Sequence, residues 1–157
     1  MEPSDLAEIE EIKQLKARYF RLMDTKKWSE WAELLTERCV LEYGPDLRVE
    51  GRDAIVEFVR GALNDATSVH LGYMPEIELT GPTAARGIWA MSDVVEWTDE
   101  RRAASLRGFG HYEDEYVKED GRWRIDRFGI TRLRVDPFEP SSAGRGGMDA
   151  SPEKKKA

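Results

Sequence analysis

Residues 85–97 have the sequence ARGIWAMSDVVEW, in which every second side chain from Trp89 to Trp97 is large and apolar except Asp93. Alternation with a period of two is typical of a β-strand that buries one face. A carboxylate in such a row costs free energy unless it has a partner or lies in a polar pocket. The pattern predicts a long strand with one polar group on its buried face. The alternative is a bulged strand in which Asp93 faces water.

Strand-like patterns dominate the chain after residue 67. We predict strands at about 68–74, 76–80, 83–97, 104–118 and 122–135, with turns marked by Gly81-Pro82 and Asp120-Gly121. Two shorter strands are expected upstream, at 39–43 and 47–50. Long strands that follow one another through short turns pair in antiparallel order.

Three helical patterns precede these strands. The first has a Ser4 or Asp5 cap, a capping-box pattern completed by Glu8, and an apolar stripe that ends near Met23. Shorter helices are predicted at 27–35 and 53–63. Helices followed by long antiparallel strands indicate an α+β fold, in which a strongly bent sheet wraps around an amphipathic helix. We expect a small-molecule site between the concave sheet face and the helices.

The composition fits one globular domain with a polar tail. We predict a domain over residues 1–138 and a disordered tail over 139–157, because the tail has almost no apolar content. The net charge of −7 argues against a general nucleic-acid binder, which needs clustered basic residues. No apolar run is long enough for a membrane span, and the N-terminus lacks the pattern of a signal peptide.

The cysteine and histidine content narrows the chemistry. The single Cys39 cannot form an internal disulfide and is compatible with the reducing cytoplasm, where we expect the protein to reside. One cysteine and two histidines also exclude a Cys-rich zinc site. Of the two histidines, His70 lies in a predicted strand and His111 lies in another. A lone strand histidine is more often structural than catalytic, so its sequence position alone does not assign a role.

Two segments carry a family resemblance. YFRLMDTKKW at 19–28 and EYVKEDGRWRI at 115–125, with the order of the elements, resemble the SnoaL-like branch of the nuclear transport factor 2-like superfamily. The resemblance covers about residues 5–136. It implies a cone-shaped barrel in which three N-terminal helices pack into a strongly curved mixed β-sheet. The Asp-Gly-x-Trp-x-Ile ending indicates the fold and not a particular chemistry.

The resemblance also implies a set of catalytic residues. Scytalone dehydratase, bile acid 7-alpha-dehydratase and hexachlorocyclohexane dehydrochlorinase pair an Asp at the end of the first helix with a His at the start of the strands. Asp24 and His70 match these positions. Tyr19 and Asp93 match a Tyr and a second Asp of the bile acid enzyme, and Tyr43 matches the carbonyl-holding tyrosine of scytalone dehydratase. This implies a dehydratase-type lyase for a small, largely apolar hydroxy-carbonyl or polycyclic substrate.

The chain also departs from these enzymes. Scytalone dehydratase has a tyrosine directly before its Asp, where this chain has Met23, and its second active-site histidine falls near Val95. Its substrate therefore cannot be transferred to this chain. We expect the bound substrate to be lined by Met23, Trp89, Met91, Val95 and Tyr112. His111 and Arg132 are further candidates: strand alternation leaves open whether His111 faces the cavity, and Arg132 could equally be a surface charge. Neither a metal ion nor an organic cofactor is needed for this chemistry.

Two other functions stay open. The first is an isomerase, hydratase or cyclase of the same fold, which differs in the fate of the carbanion. The second is a module that binds a small ligand without catalysis, since many members of the superfamily have no enzyme activity. Members of this fold often form dimers or trimers through the convex sheet face, so a homodimer or homotrimer is expected.

Overall fold

The computed structural model describes residues 1–140. The helices are α1 (Pro3–Asp24), α2 (Trp28–Ala32) and α3 (Arg52–Leu63). The strands are β1 (Leu35–Tyr43), β2 (Leu47–Glu50), β3 (Ala66–Gly81), β4 (Ala84–Trp97), β5 (Leu106–Glu119) and β6 (Arg122–Pro137). A single 3₁₀ turn, Arg102–Ala104, precedes β5 in this part of the chain. The predicted disordered tail lies outside the described residues from position 141 onward.

The six strands form one mixed sheet in the order β2-β1-β6-β5-β4-β3. All neighbours are antiparallel except β1 and β6, which are parallel. The sheet is not closed, because β2 and β3 lie at its two edges and do not pair with each other. The expected α+β architecture, with three helices packed against a curved mixed sheet, is confirmed. Within residues 1–140, every helix is too short or too polar to cross a lipid bilayer.

The core is an aromatic cluster centred on Tyr19 of α1. The Tyr19 ring lies 5.4 Å from Phe20, 5.5 Å from Trp31, 5.5 Å from Phe128 and 5.9 Å from Tyr112, measured between ring centroids. Three of these four contacts are edge-to-face, an arrangement worth about 0.5–1.5 kcal/mol per pair beyond the area buried. The cluster fixes α1 against the concave face of β5 and β6.

The alternation in β4 is confirmed. Trp89, Met91, Asp93 and Val95 are all buried, while Arg86 and Ile88 are exposed. Residues that pair across neighbouring strands project from the same face of a sheet. The ladder therefore defines an inward face that includes Asp93 and an outward face that includes Ile88.

Two strand boundaries differ from the sequence prediction. The expected strands at 68–74 and 76–80 form one strand, β3, with a register shift between Tyr73 and Glu76. Pro75 lacks an N–H for the ladder, and Met74 takes a φ of 27°, so the chain bulges and both flanks keep pairing with β4. β1 begins at Leu35, inside the predicted second helix, because Leu35 is fully buried opposite Ile125 of β6.

The predicted cap of α1 is also wrong. The helix begins at Pro3 with Glu2 as the N-cap residue, and the Asp5 carboxylate accepts a 2.9 Å hydrogen bond from the Glu2 N–H. Proline is well suited to the first helical position, because the N–H it lacks would have no partner there. Glu8 does not contribute to the cap but accepts a 2.7 Å hydrogen bond from Lys118, which ties α1 to β5.

The buried Cys39 generates a prediction about alkaline pH. Burial raises the pKa of its thiol to about 12, against about 8.5 in an unfolded chain. Since the folded pKa is the higher one, the thiol stabilises the fold below pH 8.5, and this contribution is lost as the pH rises toward 12. From pH 8 to pH 10 we expect this residue to lower the free energy of unfolding by about 2 kcal/mol.

Urea unfolding of the wild type and Cys39→Ala at pH 7, 8, 9 and 10 measures this contribution. The substitution adds a constant cost for the cavity, so the difference between the two proteins should narrow as the pH rises. A difference that stays the same at every pH would contradict the assignment.

Candidate functional site

Helix α1 ends in a Schellman motif that positions Asp24. The Lys27 N–H donates to the Leu22 carbonyl at 2.9 Å, and the Lys26 N–H donates to the Met23 carbonyl at 3.1 Å. Lys26 takes the left-handed conformation that this motif requires, with a φ of 61°. The carbonyl end of a helix disfavours a negative charge, so Asp24 needs hydrogen-bond donors from elsewhere in the fold.

Strand β3 supplies these donors. The Asp24 carboxylate accepts hydrogen bonds from the Ser68 hydroxyl at 2.9 Å, from the His70 backbone N–H at 2.7 Å and from the His70 Nδ1 at 2.6 Å. Ser68 and His70 project from the same face because they are two residues apart on one strand. An ionised carboxylate only accepts hydrogen bonds, so this geometry favours the proton on Nδ1, and the lone pair of the neutral imidazole then lies on Nε2.

Asp93 lies on the other side of the His70 ring. The two residues pair directly across β3 and β4, and His70 Nε2 is 3.8 Å from Asp93 Oδ2. The Asp93 carboxylate forms a two-point ion pair with Arg132, with distances of 2.6 Å and 2.8 Å. This contact raises the pKa of Arg132, an effect that burial partly opposes. The Arg132 side chain is 33% exposed and is the most open member of this cluster.

Gly108 makes room for this ion pair. It faces Asp93 across β4 and β5, and a Cβ atom at this position would overlap both the Arg132 guanidinium and the Asp93 carboxylate. One inward-facing row therefore crosses three strands and consists of His70, Asp93 and Gly108. The Arg132 guanidinium lies over Gly108. The sequence prediction missed Gly108; a glycine in the middle of a strand pattern is the signal for such a close approach.

Two phenols, Tyr43 and Tyr112, lie close to this cluster, and a third, Tyr19, lies next to these two. Burial raises the pKa of Tyr43, and the Arg132 charge opposes this effect while Asp93 adds to it. Burial is also the main cause of the raised pKa of Tyr112, and Tyr43 and Asp93 raise this pKa further. The pKa of Tyr19 is raised by its own burial and then by Tyr112 and Tyr43. All three hydroxyls therefore stay protonated at neutral pH and can donate hydrogen bonds.

A second buried polar cluster lies behind the phenols and was missed by the sequence prediction. Lys16 Nζ is 2.6 Å from Asp114 Oδ2, and both side chains are fully buried. The Tyr116 hydroxyl donates to Asp114 at 2.6 Å, and the Trp89 indole N–H donates to Tyr116 at 2.9 Å. Burial lowers the pKa of Lys16, and Asp114 opposes this shift. A lysine three residues before Tyr19, on the apolar stripe of α1, is the sequence signal that points to it.

The predicted lining residues separate into two groups. Met23, Trp89, Met91, Val95 and Tyr112 are buried on the inward side. Met91 Sδ lies 3.9 Å from Arg132 Nη1. His111 does not join them: it pairs with Ala90, whose side chain faces away from Met91, so His111 lies on the outward face of the sheet. The pairing therefore argues against His111 as a lining residue, because the strand alternation leaves Gly110 and Tyr112 facing inward.

Two surface cavities lie away from His70. One, of about 950 Å³, is lined by side chains that include Glu78, Arg86 and Glu113. The other, of about 820 Å³, lies along α1 beside Trp123. Neither is lined by His70, Asp24 or Asp93. At the expected site between the concave sheet face and the helices, the His70 side chain is 6% exposed and the Arg132 side chain is 33% exposed.

The fold is an α+β cone with a row of polar groups on its inward face. The model of the SnoaL-like domain family matches residues 4–129. Because this match spans most of the chain, the protein belongs to the SnoaL-like family.

Solved structures agree with this assignment. A protein with a provisional assignment as scytalone dehydratase from Novosphingobium aromaticivorans is 24% identical; the alignment covers 90% of this chain and 94% of that one, with a TM-score of 0.79. A protein of unknown function from Mycobacterium tuberculosis is 28% identical over 85% of this chain and 78% of that one, with a TM-score of 0.72. A hexachlorocyclohexane dehydrochlorinase is 15% identical over 89% and 97% of the two chains, with a TM-score of 0.77.

The Asp93–Arg132 pair generates a prediction about stability. Removing one partner of a fully buried pair typically costs 3–5 kcal/mol, because the other charge is left unpaired. Since the Arg132 side chain is partly exposed, we expect Arg132→Met to lower the free energy of unfolding by about 2 kcal/mol. The double variant Asp93→Asn/Arg132→Met should lose less than Arg132→Met alone. Urea unfolding of all four proteins at pH 7 measures the coupling, and strictly additive losses would argue against it.

Proposed function

We propose that the protein is a cofactor-independent lyase that eliminates water from a small, largely apolar hydroxy-carbonyl compound, with His70 as the general base. The observation that carries this proposal is the 2.6 Å contact between His70 Nδ1 and Asp24 Oδ1. It leaves Nε2 free to accept a proton on the side that faces Asp93 and Arg132. An Asp behind the ring also stabilises the imidazolium that forms.

The reaction can be written with His70 as the sole proton carrier. Nε2 takes a proton from the carbon next to the substrate carbonyl, and the electron pair of the broken C–H bond moves onto the carbonyl oxygen. When the carbonyl re-forms, the C–O bond of the neighbouring hydroxyl breaks. The imidazolium returns its proton to the departing oxygen, so the products are water and an unsaturated carbonyl compound.

The phenols and the ion pair have separate roles in this proposal. Tyr43 donates a hydrogen bond to the carbonyl oxygen while negative charge develops there, with Tyr19 and Tyr112 behind it. Because Asp93 is paired with Arg132, we assign it the binding of a substrate hydroxyl and not the role of acid. Arg132 offsets the negative charge on the leaving oxygen and lies where a substrate would reach His70 from solvent.

The surroundings of His70 favour an apolar substrate. Met91 and Val95 lie on either side of Asp93 on the inward face of β4, and both are buried. Polar contacts with a substrate would thus come mainly from His70, Asp93 and Arg132. We further propose that residues 1–138 are the functional domain, that its partner is a small molecule, and that it works in the cytoplasm.

An enzyme that uses the same base but does not eliminate water is a second candidate. The same base could release its proton to another carbon, as in an isomerase or cyclase, or add water as a hydratase. The closed packing around His70, with a 6% exposed side chain, favours a third candidate, a module that binds a small ligand without turnover. These candidates differ in what happens to the carbon-bound hydrogen.

We also propose that the chain forms a homodimer or homotrimer through the outward sheet face. Val69, Leu71 and Tyr73 of β3 and Phe109 of β5 are between 42% and 48% exposed. Leu71, Ser92 and Phe109 pair in one row across three strands. Several exposed apolar side chains on one sheet face are typical of an interface between protein chains.

The base is tested with a panel of β-hydroxy carbonyl compounds. The wild type should produce the unsaturated carbonyl, which is followed by its ultraviolet absorbance. His70→Ala should lower kcat/KM by at least about 100-fold, because general-base catalysis contributes that much or more. His111→Ala is the matched control, since His111 lies on the outward face, and it should keep wild-type activity.

The same panel in heavy water distinguishes the candidates. Exchange of the α-hydrogen for deuterium without elimination would favour the isomerase or cyclase. Binding without either reaction would favour the non-catalytic module. Equal rates for the wild type and His70→Ala, with circular dichroism showing both folded, would remove His70 as the base.

The oligomer is tested by substitutions on the outward face. We expect a native mass two or three times 18.0 kDa and a shift toward the monomer in Leu71→Glu, because a buried interface does not tolerate an unpaired charge. Leu6→Glu, at an exposed position of α1, is the control. Size-exclusion chromatography with light scattering measures the masses; a monomeric wild type would contradict the proposal.

A further inference from the structure

We propose that Lys26 and Ser68 are positioning residues that fix the proton of His70 on Nδ1, through a directed chain of hydrogen bonds to Asp24. This inference rests on the proposed function for its consequence, because a base at Nε2 needs that proton placement. The chain of contacts itself is a property of the resting protein.

The direction of each hydrogen bond in this series follows from which group can donate. An ammonium group has no acceptor, so Lys26 Nζ donates its 2.8 Å hydrogen bond to Ser68 Oγ. The Ser68 hydroxyl proton is thereby free to point at Asp24 Oδ1, 2.9 Å away. The same oxygen accepts the bond from His70 Nδ1. Each bond in the sequence Lys26, Ser68, Asp24 therefore has one possible direction.

The backbone of Lys26 indicates that its side chain is used. Lys26 occupies the position of the Schellman motif that is usually glycine, with a φ of 61°. A non-glycine residue with a left-handed backbone is strained. Its ammonium is also partly buried, which lowers the pKa of Lys26, with Asp24 opposing the shift. Lys26 thus has a strained backbone and a partly buried ammonium group. Its hydrogen bond to Ser68, 42 residues away in sequence, offsets these two costs.

The competing state is the tautomer of His70 with its proton on Nε2, on the side of the ring that faces Asp93. His70 has a second carboxylate, Asp93, 3.8 Å from Nε2, which would accept a proton carried on that nitrogen. That tautomer would direct a donor at the site where the base needs a lone pair. By fixing the Asp24 carboxylate from the opposite side, Ser68 and Lys26 favour the tautomer with the proton on Nδ1.

The experiment measures the tautomer of His70 in the resting, full-length protein. Long-range ¹H–¹⁵N spectra distinguish a protonated Nδ1 from a protonated Nε2, and His111 serves as an internal reference. We expect Nδ1–H to dominate in the wild type. In Ser68→Ala and in Lys26→Met the tautomer ratio should shift toward Nε2–H by up to about fivefold, because the strength of one ordinary hydrogen bond is the upper limit of the change. Ser68→Thr, which keeps the hydroxyl, should retain the wild-type ratio.

Lys26→Gly separates positioning from folding. Glycine adopts the left-handed backbone without strain, so the Tm should not fall, while loss of the ammonium should shift the tautomer ratio as in Lys26→Met. An unchanged ratio in folded Ser68→Ala and Lys26→Met would overturn the proposal. Because no substrate is present, inactivity toward the β-hydroxy carbonyl panel would refute the proposed function and leave this result unaffected.

Discussion

The Asp24 carboxylate is the point on which the rest of the site depends. It stands at the carbonyl end of α1, where the helix dipole disfavours a negative charge, and it is held there by three hydrogen bonds from β3. Because β3 is an edge strand of the sheet, these bonds also fasten that edge to the helix. One carboxylate therefore joins α1 to the sheet and orients the His70 ring. A change in the end of the helix would alter the edge of the sheet and the imidazole together.

The inward face combines one partly exposed ion pair and one fully buried ion pair with an aromatic core. Asp93–Arg132 lies beside His70, and Lys16–Asp114 lies deeper, near the rings of Tyr19 and Tyr112. Buried pairs rarely add net stability, because desolvation offsets the attraction between the charges. The stability of the cone comes mainly from apolar packing around Tyr19, and the charges contribute orientation. This division explains how a small domain can hold several polar groups in its interior and remain folded.

Much of the architecture was predictable from local patterns. The period of two in β4 located its buried face, and the apolar stripe of α1 located the helix that packs on it. Boundaries were less predictable, because they depend on partners elsewhere in the chain: β1 begins at Leu35 through its pairing with Ile125. Of the site, Asp24 and His70 were identified through family resemblance and not through pattern. Lys26, Ser68 and Gly108 were missed, since their contacts join positions far apart in sequence.

The sequence by itself determined the α+β class, the amphipathic helix and the presence of a carboxylate on an apolar strand face, because each depends on residues within one element. Only the tertiary structure decided which groups meet. The register between β3 and β4 sets His70 opposite Asp93, and the register between β4 and β5 sets Gly108 opposite Asp93 and turns His111 outward. A shift of one residue in either ladder would reverse these faces. Register is fixed by packing across the whole sheet, and no single segment of the chain contains that information.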